Sequence, residues 1–204
     1  DELSGPTVIF IVNENTRESM IFGIKNENFS SGTVKYVGHE IRSVIMNKLE
    51  LDVSDTALIV GGESIVIESS MVAYEGVIIA AERDAGSLRS MEENVSKFGV
   101  HNVEIVSDLK VETLEKLPVP RIAFIVATKQ DIESDIVNLL KINPNIKIIV
   151  YTLELDILAD IKYLMKKHGV NVTEVMQISV SKTDKNSIFV AQPSPWMITG
   201  EVKQ

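Results

Sequence analysis

Residues 55–108 read DTALIVGGESIVIESSMVAYEGVIIAAERDAGSLRSMEENVSKFGVHNVEIVSD, and this stretch decides the fold class. The apolar runs Thr56–Val60 and Val77–Ala81 predict two strands, the first closed by a pair of glycines. The length of the segment after the first run predicts a helix, and apolar residues three and four positions apart predict another after the second. Strands separated by helices are parallel, because the chain must cross back before it can pair again. The stretch therefore predicts the opening of a doubly wound α/β sheet.

The rest of the chain continues the alternation of helices and strands. Val172–Ser181 and Ser187–Ala191 are extended runs joined by a short polar link, which predicts an antiparallel hairpin. The predicted fold is therefore α/β, a doubly wound, mostly parallel seven-stranded sheet with a C-terminal antiparallel hairpin. The other predicted elements are helices at His39–Leu51, Ile65–Val72, Ser87–Phe98, Asp131–Leu140 and Leu155–His168, a third strand ending near Asp108, and strands at Ile122–Ala127 and Ile146–Tyr151.

The first part of the chain has a weaker pattern. Thr7–Val12 is a strand-like run, and Lys25–Gly38 is rich in Asn, Ser and Gly, which predicts a loop that leads into the main domain. We therefore divide the chain into an N-terminal extension, residues 1–34, and one α/β domain, residues 35–204.

Composition narrows the class of protein. The 204 residues carry 20 basic and 29 acidic side chains, a net charge of -9, which repels a nucleic-acid backbone. There is no cysteine, so disulfides and thiolate metal sites are excluded, and the three histidines lack partners at metal-ligand spacing. No apolar run reaches the length of a membrane span, and no basic region leads a secretory signal. We expect a soluble, cytoplasmic protein with no membrane or nucleic-acid partner and no metal.

Candidate binding residues follow the predicted strands. In doubly wound sheets, ligands bind beyond the carboxyl ends of the strands, which here are marked by Gly61, Gly62, Glu82 and Asp108. Glu82 is either a solvated strand end or an acceptor for a diol, since each carboxylate oxygen can accept one hydroxyl hydrogen. The two glycines are either a plain turn or a close approach of backbone to a ligand. Asp108 is either a helix cap or a ligand contact.

Five parallel strands followed by an antiparallel hairpin resemble the class I methyltransferases. That resemblance implies S-adenosylmethionine as the cofactor, with the glycine turn near its methionine part and the acidic strand end at its ribose. The adenine contact would fall to Asp108. Methyl transfer asks little of side chains, because alignment of the reacting groups supplies most of the rate. No catalytic residue is therefore assigned.

Five stretches carry a more specific resemblance. They are HEIRSVIMNKLEL (39–51), AAERDAGSLRSMEENVSKFGVHNVEIV (80–106), TLELDILADIKYLMKKHG (152–169), VMQISVSKT (175–183) and PWMITGE (195–201). In them the chain resembles the decarboxylating precorrin methyltransferases of cobalamin biosynthesis. The resemblance implies methylation of a precorrin or cobalt-precorrin tetrapyrrole, removal of an acetate carboxyl group, and a homo-oligomer, with a tetramer as the implied assembly.

The sequence departs from that family at its glycine motifs. After the first strand at least one glycine is missing and Glu63 adds a negative charge, and Val126, Ala127 and Thr128 replace a glycine pair after the fourth strand. A side chain in place of glycine fills space that a ligand needs. The alternative is therefore a divergent paralogue that keeps the fold, has lost or altered the cofactor site, and acts as a binding or assembly protein. A methyltransferase for another small molecule or for RNA is a third reading.

Several further side chains have a functional and a structural interpretation. Arg83 follows Glu82, and Ala127 follows the fourth strand, so both join the candidate cofactor contacts. Thr152 and Glu154 follow the fifth strand, on the edge suited to a substrate contact, and loop polarity explains them equally well. Glu40 and Arg42 on the first predicted helix are interpreted as solvated ions of small energetic worth, which is typical of surface pairs.

Overall fold

The computed structural model describes Val12, residues 23–30 and residues 37–202, and it confirms the predicted α/β fold class. A single 3-10 turn, Asn26–Asn28, precedes the main domain. The helices are α1 (His39–Leu49), α2 (Glu63–Val72), α3 (Ala85–Phe98), α4 (Val111–Leu114), α5 (Ile132–Ile142) and α6 (Leu155–Lys167). The strands are β1 (Thr56–Val60), β2 (Val77–Ala81), β3 (Val103–Val106), β4 (Ile122–Val126), β5 (Lys147–Thr152), β6 (Val170–Gln177), β7 (Ser181–Thr183), β8 (Phe189–Ala191) and β9 (Trp196–Val202).

Seven strands form one sheet in the order β3-β2-β1-β4-β5-β9-β6. The first five strands are parallel, and β9 runs antiparallel to both β5 and β6. From β1 the chain builds β2 and then β3 on one side of that strand, and it then crosses over to build β4 on the other side. The strand order therefore reverses between β1 and β4, the position at which doubly wound sheets bind ligands.

The sheet is covered by helices on both faces. One core cluster joins α1, α2 and α3 to the sheet through residues such as Ile45, Val66 and Met91. The other joins α4, α5 and α6 through residues such as Leu114, Ile136 and Ile161. Strands buried on both sides explain the uninterrupted apolar runs from which the sheet was predicted.

The prediction that Ser187–Ala191 forms the second strand of the sheet's C-terminal hairpin is wrong. Phe189–Ala191 pairs only with Ser181–Thr183, in a separate two-stranded ribbon that we call the β7–β8 ribbon. The strand that completes the sheet is β9, inserted between β5 and β6. Its residues are largely buried, whereas Phe189 is 75% exposed. The polar link does form a tight turn around Asp184, but the apolar residues that follow it face solvent and have no place in the core.

The segment before α1 packs against three helices. Its described residues, Gly23–Ser30, are here called the N-terminal strap. Glu68 on α2 accepts the backbone N–H of Ile24 at 2.9 Å, and Asn94 on α3 exchanges two hydrogen bonds of 2.8 Å with the backbone of Ser30. The start of the loop predicted at Lys25–Gly38, as far as Ser30, is thus fixed in place. The strand predicted at Thr7–Val12 lies outside the described residues except for Val12.

Candidate functional site

The turn after β1 can be made only by glycine. Gly61 and Gly62 have φ angles of +66° and +93°, in the left-handed region that strains other residues. The Gly61 N–H donates to the Ala81 carbonyl at 3.1 Å, which ties the turn to the end of β2. A Cβ atom at Gly61 would lie 3.3 Å from Cβ of Val126 on β4. The turn therefore packs closely against both strands that flank β1.

The close contact at Gly61 gives a stability prediction. We expect Gly61→Ala to lower the free energy of unfolding by about 1–2 kcal/mol from the φ angle alone, and by more because its methyl group presses on Val126. Gly99→Ala is the matched control, since Gly99 has a φ of +62° and open space around its missing Cβ. Urea unfolding measures both variants. Equal losses would show that the contact with Val126 carries no energy.

Glu82 holds its carboxylate at the end of β2 by means of the following turn. Its Oε1 accepts the backbone N–H groups of Arg83 at 2.8 Å and Asp84 at 2.9 Å. The residue is 7% exposed, and Oε2 is buried with no hydrogen-bond partner among the described residues. A buried carboxylate oxygen is costly unless a donor satisfies it. The geometry therefore fits a ligand hydroxyl at Oε2, next to the glycine turn.

Arg83 is directed to α5. Its guanidinium donates to Asp135 at 2.5 Å and lies 3.6 Å from Asp131. Burial opposes the charge on Arg83, but the hydrogen bond and charge of Asp135, with help from Asp131 and Glu82, raise its pKa above the ordinary value. Burial also raises the pKa of the Asp135 carboxyl. The backbone N–H of Arg83 orients Glu82, and the Arg83 side chain links the end of β2 to α5.

Asp108 stands at the start of α4. Its Oδ1 accepts the backbone N–H of Lys110 at 3.0 Å and the hydroxyl of Thr113 at 2.8 Å. These two hydrogen bonds hold the pKa of the Asp108 carboxyl below its ordinary value. The contacts fix the turn that leads into α4, whose N-cap residue is Lys110. Oδ2 is 3.4 Å from the Lys110 ammonium, so both oxygens have partners within the turn.

The remaining sequence candidates lie at the ends of β4 and β5. Ala127 is buried, and its N–H donates to the Tyr151 carbonyl at 3.0 Å. Thr152 is 2% exposed, and its hydroxyl accepts the backbone N–H of Glu154 at 2.9 Å. Glu154 itself is exposed at the start of α6. The structure thus gives the Thr152 hydroxyl a turn-forming role and leaves the Glu154 carboxylate in solvent.

Sequence reasoning missed two polar groups on the same side of the sheet. Ser64, in the first turn of α2, is 2% exposed, and its hydroxyl has no hydrogen-bond partner among the described residues. Its place directly after the glycine turn is the signal that could have identified it. Arg42 was interpreted as solvated, which is wrong, because it is fully buried and paired with Glu68 at 2.6 Å. Glu63, the added charge after the turn, is buried at the start of α2.

In the part of the chain that the structure describes, no group of three or more His, Asp or Glu side chains could hold a metal ion. None of the helices in that part combines the length and the apolar content that crossing a membrane requires.

Comparison with known proteins identifies the family. Residues 32–196 match the profile of the precorrin methyltransferase domain, which is most of the chain. The chain belongs to the precorrin methyltransferase family. Over 99 residues this family member is 31% identical to the probable cobalt-precorrin-6B C(15)-methyltransferase (decarboxylating) of Sulfolobus acidocaldarius, a match that covers 47% of the chain and 52% of the relative. The aligned region thus spans about half the length of that curated relative.

Solved structures show the same likeness over nearly the whole fold. The precorrin-6y C5,15-methyltransferase of Geobacter metallireducens superposes with a TM-score of 0.82 at 28% identity, covering 92% of this precorrin methyltransferase family member and 100% of the other chain. A precorrin 8W decarboxylase of Methanobacterium thermoautotrophicum superposes with a TM-score of 0.76 at 19% identity, covering 88% and 100%. The latter likeness concerns the fold alone.

Proposed function

We propose that the protein is an S-adenosylmethionine-dependent methyltransferase that acts on a precorrin or cobalt-precorrin tetrapyrrole, with loss of a carboxyl group, in cobalamin biosynthesis. Family membership and the names of the curated relative and of the 28% identical structure support this reaction. The observation that carries the proposal for this chain is Oε2 of Glu82, a buried acceptor beside the glycine turn at the point where the strand order reverses.

The residues of the chain fit the cofactor in a specific way. Glu82 would accept a ribose hydroxyl at Oε2 while Oε1 stays bonded to the backbone. Gly61 and Gly62 would bring the backbone of the turn close to the methionine part, with the side chains of Val126 and Ile65 packed behind the turn. Ala127 and Asp108 would border the adenine, with Asp108 keeping its hydrogen bonds to Lys110 and Thr113. The bound cofactor supplies an electrophilic methyl group.

The chain's own contribution to methyl transfer is alignment. The first turn of α2, the end of β2 and the end of β4 are fixed to one another by the Gly61–Ala81 hydrogen bond and by the packing of Gly61 on Val126. A rigid site of this kind holds donor and acceptor in a reactive geometry, which can supply a large part of the rate.

Assembly and location are also proposals. We propose a homo-oligomer, with a tetramer as the expected state, in the cytoplasm. The exposed apolar side chains of Ile188, Phe189 and Val190 on the β7–β8 ribbon, and of Val175 on the edge strand β6, support an interface between copies. The net charge of -9 is unfavourable for a nucleic-acid partner.

A direct assay tests the reaction. The protein is incubated with S-adenosylmethionine carrying a labelled methyl group and with cobalt-precorrin-6B, and the tetrapyrrole is analysed by mass spectrometry. We expect a product that has gained the label and lost carbon dioxide. A folded protein that transfers no label would overturn the proposal and favour a binding or assembly role.

A further inference from the structure

A pocket opens at the carboxyl end of β5. It has a volume of about 270 Å³. Its walls are formed by the end of β5, the N-terminal strap, the start of α1 and the β7–β8 ribbon with the residues after it. Its polar and apolar lining includes Asn26, Glu40, Tyr151, Leu153, Lys182 and Gln192.

The charged groups of this pocket are bound to one another. Glu40 Oε1 accepts a hydrogen bond from the Lys182 ammonium and lies 2.9 Å from Nε2 of His39. Although burial acts to raise it, the pKa of the Glu40 carboxyl is lowered by Lys182 and His39, so Glu40 is ionised. Lys182 and His39 are 41% and 36% exposed. They form a solvated rim around the opening.

Tyr151 is the inner wall. It is 8% exposed, and its ring centroid lies 6.0 Å from that of Phe124. No described residue forms a hydrogen bond with its phenolic oxygen, although the residue lines the pocket. Burial raises the pKa of Tyr151 to about 12. The phenol therefore remains protonated at neutral pH and keeps its O–H proton.

The sheet places this phenol close to the proposed methyl donor. Tyr151 is opposite Val126 in the β4–β5 register, and Val126 is the side chain against which Gly61 packs. Neighbouring strands are about 4.8 Å apart, so Tyr151 stands roughly 10 Å from the glycine turn, two strands away. A substrate as wide as a tetrapyrrole macrocycle can reach both positions at once.

We propose that Tyr151 is a catalytic residue of the carboxyl-loss step, the proton donor to the carbon that loses carbon dioxide. The inference rests on the proposed function. The bond between that carbon and the carboxylate breaks and carbon dioxide leaves while the same carbon takes the phenolic proton. The electron pair of the broken C–C bond thus becomes the pair of the new C–H bond. The phenolate regains its proton from water at the rim.

The other acidic protons of the described pocket are less suited to this step. Those of Lys182 and His39 face Glu40, which competes for them. Thr152, the next residue along β5, is 2% exposed and is not among the residues that line the pocket. Tyr151 alone among these groups combines burial, an available O–H and access to the pocket.

The test compares Tyr151→Phe, which keeps the ring packing on Phe124, with Tyr163→Phe, where the tyrosine is 69% exposed on α6. With S-adenosylmethionine and cobalt-precorrin-6B, we expect Tyr151→Phe to transfer methyl groups at close to the wild-type rate and to release carbon dioxide about 100-fold more slowly or worse. Mass spectrometry then shows a methylated product that has kept its carboxyl group. Tyr163→Phe should match the wild type in both steps.

A binding measurement separates proton donation from substrate binding. Absorbance titration of cobalt-precorrin-6B without methyl donor should give the same dissociation constant for Tyr151→Phe and wild type. Unchanged carbon dioxide release in Tyr151→Phe, or an equal fall in both steps together with weaker binding, would overturn the assignment. If the wild-type protein binds the tetrapyrrole but transfers no methyl group to it, the proposed function itself is overturned.

Discussion

Replacing Glu82 by alanine is expected to raise the dissociation constant of S-adenosylmethionine by about 10- to 100-fold, since hydrogen bonds to a charged group contribute about 1.5–3 kcal/mol. The variant loses the buried Oε2 that we assign to a ribose hydroxyl. It also loses Oε1, which fixes the backbone of Arg83 and Asp84 after β2. Isothermal titration calorimetry with S-adenosylmethionine and S-adenosylhomocysteine measures the change.

Two controls make the Glu82 experiment specific. Glu104→Ala removes an exposed carboxylate from the adjacent strand β3 and should leave the dissociation constant unchanged. Glu82→Gln keeps an acceptor for the backbone N–H groups but presents an amide where Oε2 stood, so binding should weaken with less loss of stability. Equal affinity in the wild type and Glu82→Ala would contradict the assignment of Glu82 to the ribose.

Replacing Arg42 by alanine is expected to lower the free energy of unfolding by about 3–5 kcal/mol, because it leaves the Glu68 carboxylate buried without its charged partner. Arg42 is fully buried and Glu68 is 2% exposed. The guanidinium also donates to Asn26 Oδ1 at 3.1 Å and to the Ile24 carbonyl, and it lies 4.9 Å from the Phe29 ring centroid. Arg42 therefore joins Glu68 and Asn94 in anchoring the N-terminal strap.

Guanidinium chloride unfolding followed by circular dichroism measures the Arg42 effect. Arg89→Ala, an exposed arginine on α3, is the matched control and should change stability by less than about 0.5 kcal/mol. Because Asn26 lines the pocket of Tyr151, the surviving folded fraction of Arg42→Ala should also bind cobalt-precorrin-6B more weakly. A loss of stability no larger than that of Arg89→Ala would show that the pair with Glu68 contributes nothing.

The parallel part of the sheet could be predicted from sequence because four of its five strands are buried on both faces. Thr56–Val60 and Val77–Ala81 are continuous apolar runs bounded by glycine or acidic residues, and the structure gives both strands the predicted bounds. The β7–β8 ribbon misled the prediction because Ile188, Phe189 and Val190 have the composition of a core strand. Burial distinguishes a core strand from an exposed ribbon strand, and burial depends on the rest of the fold.

Long-range pairing explains what the sequence could not show about charged residues. Arg42 is separated from Glu68 by a full βα connection, and only the packing of α1 against α2 brings the two together. The spacing in the sequence suggested Glu40 as the neighbour of Arg42. In the structure Glu40 instead contacts Lys182 on the β7–β8 ribbon. Arg83 likewise pairs with Asp135, which no local pattern connects with β2.

The candidate cofactor site could be predicted in outline but not in its chemistry. The rule that ligands lie beyond the carboxyl ends of parallel strands located Gly61, Gly62 and Glu82, because it depends only on strand order. It did not show which carboxylate oxygen is left without a donor, or that Thr152 and Asp108 have polar partners in their own turns. Those properties depend on backbone geometry after each strand.

A crystal structure of the protein with S-adenosylhomocysteine is the most direct measurement of the cofactor site. We expect the ligand at the end of β1 and β2, with a ribose hydroxyl within hydrogen-bond distance of Glu82 Oε2 and the amino-acid part against the Gly61-Gly62 turn. A ligand bound elsewhere, or a ribose that makes no contact with Glu82, would contradict the central claim that this carboxylate holds the methyl donor.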